Sequence, residues 1–123
     1  MPNILIIEDE KTLAKMYEEV FEKEGHDVSL ASTVDEALEK AHSKKPDLIL
    51  LDILLPGETG ISFLNKLRRS DDDVVADIPV VAFSNYDDQE SKEEAFRLGA
   101  KNYFIKTEHT PGEIVEKSIE YLN

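Results

Sequence analysis

Cysteine is absent, so the chain has neither a disulfide nor a thiolate metal site available to it. That absence fits a reducing compartment. Basic residues are few beside acidic ones, 14 against 27, which leaves a formal net charge of -13. Nucleic acid and anionic membranes are polyanions, so this balance argues against either as a direct partner. No apolar run approaches a membrane span, and the N-terminal one stops at Glu8. Met1-Pro2-Asn3 offers no basic region of the kind a secretory signal carries, so the expected location is the cytoplasm. There is no low-complexity tract and no linker. What remains is an ordinary globular composition, 41% hydrophobic and 33% charged over 123 residues. That length suits one domain with a sizeable core.

Short aliphatic runs alternate with helical stripes along the whole chain. Ile4–Ile7 reads as a first strand. A helix is expected over 10–24, with Leu13, Met16, Tyr17, Val20 and Phe21 on one face and Gly25 as its stop. Val28–Ala31 reads as the second strand, and Thr33 with Glu36 has capping-box spacing before the next helix. Pro46 precedes a third strand, Leu48–Leu51. Ile61, Leu64 and Leu67 mark a third helix, and Ile78–Phe83 reads as the fourth strand. Asp87 and Glu90 are placed to cap a fourth helix that Gly99 ends. Tyr103–Ile105 reads as a fifth strand, and Thr110-Pro111-Gly112-Glu113 as a helix start. The acidic run Asp71-Asp72-Asp73 reads as a solvated loop. Five βα units with continuous apolar strands imply a parallel sheet covered on both faces.

In an open α/β sheet, ligands bind beyond the carboxyl ends of the strands. Reading the residues at those ends gives Glu8 and Asp9, then Asp52, then Ser84, then Lys106. If the first and third strands are neighbours, Glu8, Asp9 and Asp52 converge. Three carboxylates at one place repel one another and need a compensating cation. An oxygen-only ligand set in a shallow site favours Mg²⁺. Lys106 adds a fixed positive charge and Ser84 a hydroxyl donor. Together these groups suit a transferring phosphoryl group, with Asp52 as an already ionised nucleophile. Each residue has a plainer reading as well. Asp9 could cap the first helix, Ser84 could bond its own backbone, Lys106 could be solvated, and Asp52 could merely end a strand. The joint pattern at four strand ends favours the chemical reading.

On these residues the chain resembles a response-regulator receiver domain, similar to the single-domain chemotaxis regulators. The motifs are Ile6-Ile7-Glu8-Asp9, Leu50-Leu51-Asp52 followed by Pro56 and Gly60, Phe83-Ser84, and Tyr103-Phe104-Ile105-Lys106. The resemblance spans nearly all of residues 3–122, with 1–123 read as a single receiver domain. It implies a flavodoxin-like, doubly wound five-stranded parallel sheet of order 2-1-3-4-5 with five helices. It also implies that Asp52 takes a phosphoryl group from a histidine of a sensor kinase or a histidine phosphotransfer protein. Asp9 and Asp52 would ligate Mg²⁺ directly, Glu8 through water, and the Leu54 backbone carbonyl would be a further ligand. Ser84 and Tyr103 would be the switch pair, altering the helix 4–strand 5–helix 5 face that a downstream protein meets. Such a domain modifies itself and is not a turnover enzyme. It is expected to be monomeric when unphosphorylated.

The chain departs from the family at several positions. Thr107 stands where Pro, with a frequent cis bond before it, is usual. A cis bond before a non-proline residue costs about 2.5–4 kcal/mol. Asn85 replaces a small residue after the switch hydroxyl, and the loop at 69–77 is longer than usual. Leu54 and Tyr86 flank the path of attacking water in this family, so slow hydrolysis of the phosphorylated form is expected. Three other readings compete. A haloacid-dehalogenase-like phosphatase would need an acid where Leu54 stands. A flavodoxin-like flavin carrier would need a Ser/Thr/Gly phosphate loop where Glu8-Asp9-Glu10 stands. The principal alternative is a pseudo-receiver, an interaction module insensitive to phosphorylation. His26, His42 and His109 read as surface residues, neither phosphodonors nor metal ligands.

Overall fold

A computed structural model describes residues 2–122. Five parallel strands form one sheet in the order β2-β1-β3-β4-β5. They are β1 (Asn3–Ile7), β2 (Asp27–Ala31), β3 (Leu48–Asp52), β4 (Val80–Ser84) and β5 (Asn102–Ile105). The helices are α1 (Lys11–Lys23), α2 (Val34–Lys44), α3 (Gly60–Arg68), α4 (Asp73–Ala76), α5 (Gln89–Arg97) and α6 (Pro111–Ile119). A single 3₁₀ turn covers Lys106–Glu108.

Burial decides which strands lie inside the sheet. Every residue of β3 and β4 is buried, so these strands need cover on both faces and take the interior of the sheet. On one face Leu5, Ile49, Leu51 and Val80 pack under Ala37, Phe63, Leu67 and Ala95 of α2, α3 and α5. On the other, Ile6, Leu50, Val81 and Phe83 pack under Tyr17 and Phe21 of α1 and Ile114 and Val115 of α6. The alternation of strand side chains between faces thus divides one apolar run between two cores.

The expected boundaries hold within a few residues, and four local details differ. The acidic run is not merely a solvated loop. Asp72 accepts from the N–H groups of Val74 and Val75 and caps α4, a turn that also buries Val75. Its other oxygen pairs with Lys45 at 3.0 Å. This extra helix makes the fourth and fifth expected helices α5 and α6. Asp88 caps α5, where Asp87 was expected, and Asp87 pairs instead with Lys92. Glu10, not Asp9, caps α1, accepting from the N–H groups of Thr12 and Leu13. The capping box at α2 is half formed, because Glu36 reaches the Ser32 N–H and Thr33 alone caps. At α6 the box is complete.

Candidate functional site

Parallel register brings the strand ends together. Ile7 pairs with Leu51, and Asp52 pairs with Phe83, so the residues that follow β1 sit beside the end of β3. Carboxylate oxygens of Glu8, Asp9 and Asp52 lie within 4.8 Å of one another. Glu8 and Asp52 are each 3% exposed, whereas Asp9 stands exposed at the mouth. Lys106, directly after β5, spans the two buried acids. Its Nζ lies 2.7 Å from Glu8 Oε1 and 3.2 Å from Asp52 Oδ2. The other Asp52 oxygen, Oδ1, accepts the Leu54 N–H at 3.1 Å. The convergence expected of Glu8, Asp9, Asp52 and Lys106 is therefore present in the geometry.

The charge at this site is incompletely neutralised. Glu8 Oε2 is buried with no hydrogen-bond partner. Burial, with the neighbouring Asp52 beside it, raises the Glu8 carboxyl to about 8, although Lys106 partly offsets both. A protonated Glu8 can share its proton with Asp52, and an ionised one cannot. The free oxygen therefore faces a place that calls for a proton or a cation. Hard oxygen donors around an open position suit a divalent ion such as Mg²⁺.

Ser84 closes β4 and is buried, with its Oγ accepting the Tyr86 N–H at 3.3 Å. Tyr103 has its ring turned inward, 6% exposed, and its hydroxyl buried without a partner. Burial raises the Tyr103 hydroxyl above its usual pKa; Ser84 lies close enough to oppose that rise, yet the two hydroxyls do not meet hydrogen-bond geometry. Asn85, Tyr86 and Thr107 are exposed around the rim. There is no cis peptide among the described residues, so Lys106 and Thr107 are joined in trans and the chain leaves β5 as a 3₁₀ turn. His42 is exposed, while His26 and His109 are half-buried against Phe21 and Phe104. The two half-buried rings correct their reading as surface residues.

The sequence model of the response regulator receiver domain matches residues 4–118. The chain belongs to the response regulator receiver domain family. This receiver is 35% identical over 114 residues to the phosphate regulon transcriptional regulatory protein PhoB of Escherichia coli, covering 93% of this chain and 48% of that one. It is 35% identical over 103 residues to the alkaline phosphatase synthesis transcriptional regulatory protein PhoP of Bacillus subtilis, covering 84% and 41%. The chain thus spans about half the length of the curated relatives it matches. A solved CheY-like receiver domain from Methanospirillum hungatei superposes with a TM-score of 0.87 at 27% identity, over 98% of this chain and 92% of that one.

Two features of the receiver carried no sequence signal of their own. The Phe83 ring lies under Lys106, with Nζ 4.5 Å from the ring centroid. Arg68 sends its guanidinium to backbone carbonyls of Ala76, Ile78, Leu98 and Gly99. Aromatic and basic residues in such places read as core and surface until the chain is folded.

Proposed function

We propose that Asp52 accepts a phosphoryl group from a phosphohistidine in a Mg²⁺-dependent reaction, within a two-component system or phosphorelay. The observation that carries this reading is the meeting of Asp52 with Lys106 and the unpaired Glu8 oxygen at the end of a strand buried throughout. Asp9 and Asp52 would hold the ion directly, Glu8 through water, with the Leu54 carbonyl as a further ligand. The ion supplies charge neutralisation to the three carboxylates and to the transferring phosphoryl oxygens. An Asp52 oxygen attacks phosphorus, a P–O bond forms, and the P–N bond to the donor imidazole breaks. The imidazole leaves with the bonding pair and takes up a proton. Lys106, at ion-pair distance from Asp52, donates to one phosphoryl oxygen, and Ser84 donates to another. Phosphoryl transfer here needs positioning and charge, not a general base.

The phosphodonor is read as a sensor histidine kinase or a histidine phosphotransfer protein. The Ser84 and Tyr103 pair lies beside β5, so its rearrangement reaches the α5–β5–α6 face and a downstream protein that docks there. This domain modifies only itself, without turnover of an external substrate. Its net charge of -13 disfavours direct binding to nucleic acid or membrane. A cytoplasmic location and a monomeric unphosphorylated state complete the reading. The test is phosphotransfer from labelled histidine kinases of the same source, comparing wild type with Asp52→Asn and with chelator present. Label on wild type alone, lost on chelation, is expected. Persistent labelling of Asp52→Asn overturns the assignment, and no labelling of either protein returns the pseudo-receiver.

A further inference from the structure

Lys106 carries three N–H donors on an ammonium whose side chain is only 8% exposed. One donor is directed to Glu8 Oε1 at 2.7 Å, and Asp52 Oδ2 lies within ion-pair distance at 3.2 Å. The ammonium also lies over the face of Phe83, 4.5 Å from its centroid. Phe83 is fully buried near the end of β4, in register with Asp52 on one side and Phe104 on the other. Its ring meets Tyr17 of α1 edge to face, with centroids 5.1 Å apart and planes at 86°. Tyr17 is itself buried, which fixes the Phe83 ring plane from below.

An aromatic face attracts a cation, and more strongly where water is excluded. An aliphatic side chain in the same place would leave the ammonium's ring-facing side against hydrocarbon, a cost for any buried polar group. A further carboxylate would hold the ammonium too, but it would compete with an incoming phosphoryl oxygen. The ring holds without that competition. We propose that Phe83, its plane set by Tyr17, is a positioning residue for phosphoryl transfer. Its face holds the Lys106 ammonium at the Asp52 carboxylate, ready for a phosphoryl oxygen. The inference rests on Asp52 being the phosphoacceptor.

The test replaces Phe83 with mono-, di- and trifluorophenylalanine, which keep the shape of the ring and withdraw its π density in steps. The rate constant for labelling by radioactive acetyl phosphate with Mg²⁺ is measured for each protein. A stepwise fall is expected, reaching about tenfold for the trifluoro ring; tenfold equals about 1.4 kcal/mol, within the range of a desolvated cation–π contact. Proton NMR of the metal-free proteins reports whether the Lys106 ε-methylene stays shifted upfield by the ring. That shift is expected throughout the fluorinated series and lost in Phe83→Leu. A rate that stays flat across the fluorinated proteins overturns the positioning role, because a merely structural ring tolerates the series. Absence of the upfield shift in wild type overturns the geometry itself. A wild type that acetyl phosphate never labels, with the upfield shift intact, overturns the phosphoacceptor reading first and the positioning role with it.

Discussion

Leu54 and Tyr86 stand 47% and 65% exposed, two residues beyond Asp52 and Ser84. Both are bulky, and Leu54 has no polar atom with which to orient an attacking water. The Leu54→Asn, Tyr86→Glu double variant is therefore expected to shorten the phosphoryl lifetime about tenfold, or about 1.4 kcal/mol of barrier. Loss of label over time after removal of the donor measures it; an unchanged lifetime refutes the idea. Arg68 supports a prediction of a different kind. Its donors reach the carbonyls of Ile78 at 2.7 Å, Leu98 at 2.8 Å and Ala76 at 2.9 Å, with Gly99 more distant at 3.4 Å. Ala76 ends α4 and Leu98 is the C-cap of α5, so their carbonyls lack an intrahelical partner, and Ile78 and Gly99 follow just beyond. Arg68→Met strips their donor and is expected to cost about 2–4 kcal/mol in urea unfolding. The acids, Ser84 and Lys106 were legible because each follows an apolar run at a strand end. Arg68 and Phe83 were not, since their partners lie on elements far away in sequence.

Single helix starts and stops carry the next layer of consequence. A β-carbon on Gly60, the first residue of α3, would lie 2.4 Å from the Asp52 carbonyl oxygen and 2.8 Å from the Ile53 α-carbon. Both are backbone atoms that cannot step aside cheaply. Gly60→Ala should therefore push α3 off the end of β3, cost about 1–3 kcal/mol, and slow labelling of Asp52 while leaving Asp52 in place. Chemical denaturation and acetyl phosphate labelling read the two effects separately. At α6, Glu113 accepts the Thr110 N–H at 2.8 Å, which holds its carboxyl below the usual range. A folded-state value lower than the unfolded one gives stability that is present above about 4.5 and lost as pH falls through the folded value. The stability gap between wild type and Glu113→Gln should accordingly narrow as pH is lowered past that point, in unfolding curves taken at a series of pH values. The strong start of α6 could be read from Thr110-Pro111-Gly112-Glu113 alone. The four-residue α4 could not, because one turn has no periodicity to detect. The shift of caps to Glu10 and Asp88 has a similar origin. Runs of adjacent acids, Glu8-Asp9-Glu10 and Asp87-Asp88, offer several candidates, and only the local backbone decides among them.

Across the whole molecule, the gathering of three carboxylates at the sheet's carboxyl edge opposes folding until a cation joins them. Mg²⁺ should therefore raise the melting temperature by about 10 °C at a hundredfold excess over its dissociation constant, and Asp9→Asn should remove most of that rise. Thermal scans with and without the ion give the answer. The fold itself was largely legible, since burial on both faces leaves continuous apolar strands such as Leu48-Ile49-Leu50-Leu51. The strand order came from resemblance, because equally apolar strands do not announce their neighbours.

The arrangement of that sheet also sets different clocks for different residues. β3 is bonded on both sides and buried throughout, so its amides exchange with solvent only when the entire domain opens. β5 is a four-residue edge strand bonded on one side only, free to open by itself. Asp52 belongs to the slow interior, while Tyr103 and Lys106 ride on or next to the fast edge. On the proposed function, the phosphoryl group would be held on the strand least able to open, while the groups that respond to it sit on or beside an edge that opens more easily.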